Sequence, residues 1–164
     1  MDPQALAKLK KEQRKLTKCQ KGSKNRKKQR IKVAKLHEKV ASQRKDFLHK
    51  LSRQITNAVD VVCIEDLNMK GISQALNFGK SVSDNGFGLF ESMLDYKLRE
   101  QGKQLVKIDK WFPSSQMCSK CGEVKDSLAF SERTYHCKAC GTTPGRDYNA
   151  SINIKNEGVR ILQE

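Results

Sequence analysis

The sequence predicts an α/β fold with a basic N-terminal helical hairpin and a small inserted zinc ribbon. Three observations predict it. Strand-like and helix-period segments alternate after residue 58. The first third of the chain reads as helix and holds all of the excess positive charge. Cys118, Cys121, Cys137 and Cys140 form a C-x2-C, fifteen residues, C-x2-C pattern. At 164 residues the chain is one domain, or one domain with an insert. A hydrophobic fraction of 37% and a charged fraction of 31% leave room for only a thin core.

Residues 3–20 read as a helix, with Leu6, Leu9 and Leu16 on one stripe among lysines and arginines. Residues 21–25 break it, with Gly22 a C-cap candidate and Ser23 an N-cap candidate. A longer helix is expected from about residue 25 to 56, with Val33, His37, Val40, Phe47, Leu48, Leu51 and Ile55 marking its buried face. The two helices make a basic antiparallel hairpin over residues 1–57. His37 and His49 lie on or beside the apolar stripe and read as packed or partly exposed rather than catalytic. Val59 to Glu65 is β-branched and nearly continuously apolar, as in a strand buried on both faces. Residues 68–85 are polar and irregular and predict a mobile loop.

Phe87, Phe90, Met93, Leu94 and Leu98 predict a helix to Gln101, closed by Gly102. Leu105 to Ile108 is a second short strand. Trp111 and Phe112 then lead into the ribbon, residues 113–142. The last helix, from about Arg146 to Leu162, draws its apolar content from Ile152, Ile154, Val159, Ile161 and Leu162. Residues 58–112 and 143–164 thus form the α/β core.

The net charge of +15 is segregated. Residues 1–58 hold 19 Lys or Arg against 4 Asp or Glu, and residues 59–164 hold 14 of each. A segregated basic block is the footprint of a nucleic-acid surface; mixed signs would serve solubility equally well. Lys21, Lys24, Arg26, Lys27, Lys28 and Arg30 are its densest cluster. Phosphate contacts from such residues give affinity without sequence reading. Trp111, Phe112 and Tyr148 are candidates either for stacking on bases or for anchoring the ribbon.

The cysteine spacing lets four thiolates surround one ion, and Gly122 and Gly141 permit the sharp turn after each pair. Four thiolates leave no open coordination position, so the Zn2+ is structural. The alternative, two disulfides, is disfavoured by the charge pattern and by the polar residues that follow Met1 in place of an apolar signal segment. No apolar run is long enough to span a bilayer. Cys19 and Cys63 lack metal-ligand spacing. Ser114 and Ser115 read as turn and capping residues.

Two carboxylates complete the pattern. Glu65 ends the first strand, and Asp147 opens the last helix in Gly-Arg-Asp-Tyr-Asn-Ala, residues 145–150. Acids at strand C-terminal ends can hold Mg2+ or Mn2+; taken singly, Glu65 is equally a solvated turn residue and Asp147 a plain N-cap. In combination they are specific. Val-Cys-Ile-Glu-Asp-Leu-Asn (62–68), Pro-Ser-Ser-Gln-Met-Cys-Ser-Lys-Cys-Gly (113–122), Arg-Thr-Tyr-His-Cys-Lys-Ala-Cys-Gly (133–141) and Arg-Asp-Tyr-Asn-Ala-Ser-Ile-Asn-Ile (146–154) occur in this order. They resemble the C-terminal part of the TnpB/OrfB proteins of bacterial and archaeal insertion sequences, relatives of the type V CRISPR effector nucleases. Lys-Gly-Ser-Lys-Asn-Arg-Lys-Lys (21–28) and Arg-Lys-Asp-Phe-Leu-His-Lys-Leu-Ser (44–52) fit the same family, so the resemblance covers essentially the whole chain.

The resemblance implies an RNase H-like (RuvC) nuclease domain with a four-cysteine zinc ribbon inserted before its last helix. It implies RNA-guided, metal-dependent DNA cleavage, with Glu65 as the second catalytic acid and Asp147 as the third. Arg146 and Asn149 are implied neighbours that touch a phosphate or hold the acids. Two departures follow. The first catalytic aspartate belongs on a strand before the hairpin, in a Gly-Ile-Asp-like context that this sequence lacks, and position 145, often acidic in the family, is Gly. The expected RuvC core is therefore incomplete, and the strand ending at Glu65 has an unpaired edge. A second copy or an N-terminal fragment is the expected partner for that edge. The function expected is a nucleic-acid-binding C-terminal fragment of a TnpB-type endonuclease, inactive alone. The alternative is a metal-dependent DNA endonuclease active once the missing strands are supplied. A degenerate transposon product is the third reading. The partners implied are DNA, guide-type RNA or both, in a prokaryotic, nucleoid-associated cytoplasmic setting.

Overall fold

The computed structural model describes residues 3–67, 86–129 and 131–164. Helix α1 (Pro3–Lys18) lies antiparallel on the first half of α2 (Lys24–Ala58). Ala5 and Leu9 meet Val33 and Val40, with Leu6, Leu16 and Leu36 packed at the margin. Ser23 caps α2 as its residue type predicts, its hydroxyl accepting from the Arg26 amide at 3.1 Å. Gly22 (φ 84°) sits in the turn, beyond the end of α1. The orphan carbonyls there are met instead by the Arg26 guanidinium, which donates to Leu16 O at 3.0 Å and Cys19 O at 3.1 Å.

Helix α2 serves two partners in turn, α1 and then α3 (Phe87–Glu100). Its buried stripe runs through Val33, Val40, Leu48, Ser52 and Thr56. Phe47 and His37, expected on the buried face, are exposed, and Leu51 and Ile55 are only half-buried. A single apolar line cannot follow a helix whose partner changes halfway. Ser52 and Thr56 are small enough for the contact with α3, and their hydroxyls are satisfied by Leu48 O at 2.7 Å and Arg53 O at 3.2 Å. Lys97 of α3 is buried in the same interface and donates to His49 O at 2.6 Å and Ser52 Oγ at 2.7 Å. Burial, then the nearby Arg53 charge, holds its ammonium below the usual lysine range.

Strands β1 (Val61–Glu65) and β2 (Gln104–Ile108) pair in parallel, Val61 opposite Gln104 and Glu65 opposite Ile108. Parallel neighbours need a crossover, and α3 supplies it. No third strand joins this sheet among the described residues. Strand β1 is accordingly half-buried, with Val61 exposed, rather than covered on both faces. Its expected start at Val59 is two residues early. Side chains alternate across the sheet. Cys63 and Val106 point to α4 (Arg146–Gln163), while Lys107 points to the opposite side and pairs with Glu91 of α3.

Helix α4 packs by a face that hydrophobic periodicity does not mark. Val159 and Leu162 are exposed, whereas Asn149, Asn153 and Gly158 are buried. A Cβ at position 158 would stand 2.3 Å from Cys63 Sγ and 2.8 Å from its Cβ. Glycine is therefore what lets α4 lie this close to β1. The expected mobile loop, residues 68–85, lies outside the described residues. No described helix is long and apolar enough to cross a membrane.

Candidate metal centres and nucleic-acid surface

The ribbon is two similar knuckles closed on one another. In the first, the Gly122 amide donates to Cys118 O at 2.9 Å and the Cys118 amide to Glu123 O at 2.8 Å. In the second, the Gly141 amide donates to Cys137 O at 3.0 Å and the Cys137 amide to Thr142 O at 2.9 Å. Both glycines take positive φ, 79° and 71°, where a side chain would be strained. The four sulfurs lie within 4.8 Å of one another. Cys118 Sγ is 3.7 Å from Cys140 Sγ, and Cys121 Sγ is 3.6 Å from Cys137 Sγ. A Zn–S bond of about 2.3 Å requires a tetrahedral edge of about 3.8 Å, so the cluster has the size that Zn2+ needs. A disulfide would require about 2.05 Å.

Proton sharing among these sulfurs is uneven. Burial alone would raise the Cys118 thiol, yet the Cys121 and Lys120 amides aimed at it draw it down to about 7. The Glu123 amide opposes a rise at Cys121, but burial and the neighbouring Cys140, Cys137 and Cys118 sulfurs push it up to about 12. A divalent cation removes that conflict by favouring four thiolates. Tyr135 is fully buried against the sulfurs. Its hydroxyl donates to Gln116 O at 2.9 Å, and burial, then charge on the cysteines, raises its phenol.

The second site is a cleft of about 590 Å3 where β1 ends and α4 begins. Gly158 near one end of α4 packs on Cys63, and the opposite end reaches Glu65, so α4 runs antiparallel to β1. Glu65 and Asp147 both line the cleft, with Ser114, Arg133 and Arg146. The Ser114 hydroxyl donates to Glu65 Oε1. Asp147 is exposed in the first turn of α4, where the helix dipole favours a carboxylate. The N-cap position itself is Gly145, without a side-chain cap. Arg146 donates to Ala129 O at 3.1 Å and Glu132 O at 3.3 Å, clasping the ribbon to α4. Two carboxylates beside two guanidinium groups suit a hard divalent cation next to a phosphate. Ser114 and Arg133 were not legible as cleft residues, because only the long turn after β2 and the fold of the ribbon bring them there.

Among the cations around the start of α2, Lys21, Lys24, Lys27, Lys28 and Arg30 are exposed or half-exposed. Lys27 and Arg30 flank exposed Ile31 along a shallow groove. Arg26 is engaged in closing α1, so it is less available to a phosphate than its neighbours. A second basic surface, Lys10, Lys11, Arg14, Lys15 and Lys18, runs along α1. Its i, i+4 spacing was readable in the sequence as one helix face. Trp111 is 81% exposed and Tyr148 67%, so neither anchors the ribbon by packing, whereas Phe112 is half-buried.

Known proteins resemble this chain in sequence and in fold. The family model described as "Cas12f1-like, TNB domain" matches residues 87–154, and the OrfB model described as "Probable transposase" matches residues 3–76. A Streptomyces pristinaespiralis protein named as a candidate RNA-guided DNA endonuclease is 41% identical over 153 residues, covering 93% of this chain and 38% of the relative. TnpB-like protein L79 of Acanthamoeba polyphaga mimivirus is 30% identical over 150 residues, covering 88% of this chain and 28% of the relative. The chain thus spans well under half the length of these two relatives. A cryo-EM structure of a Cas12f1–sgRNA–target DNA complex superposes with a TM-score of 0.65 at 23% identity, covering 92% of this chain and 40% of that one; it shows a shared fold. The two family models follow one another along the chain from its first helix into its last, and the chain belongs to the TnpB/OrfB family of insertion-sequence proteins.

Proposed function

We propose that this chain is the nucleic-acid-binding and metal-site portion of a TnpB-type, RNA-guided DNA endonuclease. The observation that carries this reading is the common cleft of Glu65 and Asp147, at the carboxyl end of a parallel strand. In this reading β1, β2, α3 and α4 belong to an RNase H-like (RuvC) core, and the sulfur cluster holds a structural Zn2+. Glu65 and Asp147 are the second and third acids of a Mg2+ or Mn2+ site. The metal supplies charge neutralisation and activates the attacking oxygen in phosphoryl transfer. Arg146 and Arg133 face the phosphate, and the exposed lysines of α1 and α2 hold DNA or a guide RNA by its backbone. Such a protein works in the cytoplasm, against the chromosome.

Glu65 and Asp147 are the only acids among the described residues lining the cleft. A two-acid site holds its cations weakly, so the chain by itself binds nucleic acid and does not cleave it. The second reading is cleavage once a further acid-bearing strand is supplied; the sheet edge that no strand among the described residues covers favours it. A second copy of the chain is the other candidate for that edge, and sedimentation as a stable monomer would count against it. The test is Mn2+-dependent cleavage of labelled single-stranded DNA, beside a Glu65→Gln/Asp147→Asn variant. The expected result is no cleavage by either protein, with DNA or RNA retarded on a gel by both. Cleavage by the native chain, abolished in the variant, would show that the site assembles without a further acid. Failure to retard either nucleic acid would remove the binding function.

A further inference from the structure

Three buried polar side chains lie between the ribbon and the cleft, and each directs its hydrogen bonds to the segment that joins them or to the acid beside it. Asn149 and Asn153 are four residues apart, so they share one face of α4. Asn149 is fully buried, accepts from the Ser119 amide at 2.9 Å and donates to Met117 O at 2.6 Å. Asn153, 4% exposed, donates to Met117 O at 2.7 Å and to Ser114 O at 2.8 Å. Ser114, 5% exposed, donates its hydroxyl to Glu65. Met117 and Ser119 flank Cys118, the first sulfur of the cluster. Asparagine is a poor helix former, and a buried amide is costly unless bonded. These two positions are therefore not chosen for the helix; they are chosen for what they hold.

We infer that Ser114 is a positioning residue for Glu65, and that Asn149 and Asn153 tie its segment and the first cysteine knuckle to the helix bearing Asp147. The cluster of sulfurs thereby sets the relation between the two acids of the cleft, without a cysteine lining it. One bond fixes one oxygen of Glu65 and leaves the other for a cation. A charged acceptor with a fixed donor loses less freedom when it binds a metal than one that must first be ordered. The inference rests on the reading of Glu65 and Asp147 as a divalent-metal site.

The test is Mn2+ binding to the zinc-loaded full chain, followed through the electron paramagnetic resonance signal of free Mn2+. Ser114→Ala is the mild variant, Ser114→Thr keeps the hydroxyl, and Asn153→Ala loosens the segment. Glu65→Gln reports whether the cleft is the site at all, and circular dichroism checks the fold of each protein. Expected are a roughly three- to ten-fold weaker affinity in Ser114→Ala, a smaller loss in Asn153→Ala and near-native binding in Ser114→Thr. Cys121→Ser, which opens the sulfur cluster from a distance, is expected to weaken Mn2+ binding as well. If Ser114→Ala binds Mn2+ as tightly as the native chain or more tightly, while Glu65→Gln does not bind it, the positioning role is overturned and the metal site stands. If Glu65→Gln binds as the native chain does, the metal-site reading fails and the inference falls with it.

Discussion

The helical hairpin and the ribbon each hold together with very little apolar core, by opposite means. The hairpin's buried residues are Ala5, Leu9, Val33 and Val40, assisted by one buried carboxylate. The ribbon's are Cys118, Tyr135 and Cys137, with Cys140 at the edge. Within residues 1–58 the 19 basic residues repel one another on a long exposed surface, while residues 59–164 carry balanced charge. The difference separates two tasks. A helix pair tolerates dense cations because its backbone is satisfied internally, so it can offer phosphate contacts. A knuckle pair is short and irregular, but a metal can fix its geometry closely, so it can hold a site.

The largest expected effect breaks the ribbon and spares the hairpin. Zinc removal, or Cys137→Ser, is expected to forfeit on the order of 10 kcal/mol of local stability. Residues 117–142 then become protease-sensitive while most of the helical circular dichroism signal remains. Unchanged proteolysis after verified metal loss would mean that Tyr135 and the backbone bonds suffice. The next effect tests the packing of α4 on the sheet. Gly158→Ala drives a methyl group into Cys63 and is expected to lower stability by about 1–3 kcal/mol, read from denaturant midpoints. Cys63→Ala in the same background should recover part of the loss, because it removes Sγ from the shared contact while its Cβ stays 2.8 Å from the new methyl group. Additive losses would place the strain elsewhere.

A third effect belongs to the hairpin alone. Replacing Lys27, Lys28 and Arg30 together with Ala is expected to flatten the dependence of log K on log salt by about 0.7–0.9 per phosphate contact removed. The ribbon and cleft should be unaffected. An unchanged slope would move the nucleic-acid surface to the α1 face of Lys10, Arg14 and Lys18.

How much of this was legible follows from where each signal lives. Ser23 as an N-cap, the cysteine quartet and the strand ending at Glu65 are local, and a short window of sequence contains them. The packing face of α4 is not local: Asn149, Asn153 and Gly158 are polar or small, and a search for apolar periodicity passes over them to exposed Val159 and Leu162. Phe47 misled for a related reason. It fits a single stripe along α2, but the helix changes partner before reaching it. Ser114 reads as a turn residue by type, and its hydroxyl meets Glu65 only because the turn after β2 passes the end of β1. The pairing of Glu65 with Asp147 came from family resemblance; no spacing rule connects residues so far apart.

The smallest effect concerns the one acid buried inside the hairpin among its described residues. Glu12 is 4% exposed, and its carboxylate accepts from Gln29 at 2.8 Å and Lys15 at 2.8 Å, with Lys32 at 3.3 Å. Gln29, then Lys15, hold its carboxyl down at about 2, below the ordinary 4.5. The folded hairpin therefore binds the Glu12 proton more weakly than the unfolded chain does. The stabilisation is fully present above about pH 4.5 and is lost as pH falls toward 2. Helical signal at 222 nm, followed through denaturant at a series of pH values, should show stability declining across that window. Glu12→Gln should be less stable at neutral pH, since Lys15 and Lys32 lose their shared anion, and should lose part of the acid limb. A variant whose acid limb matches that of the native chain would assign the pH dependence to other carboxylates and leave the hairpin held by its apolar seam alone.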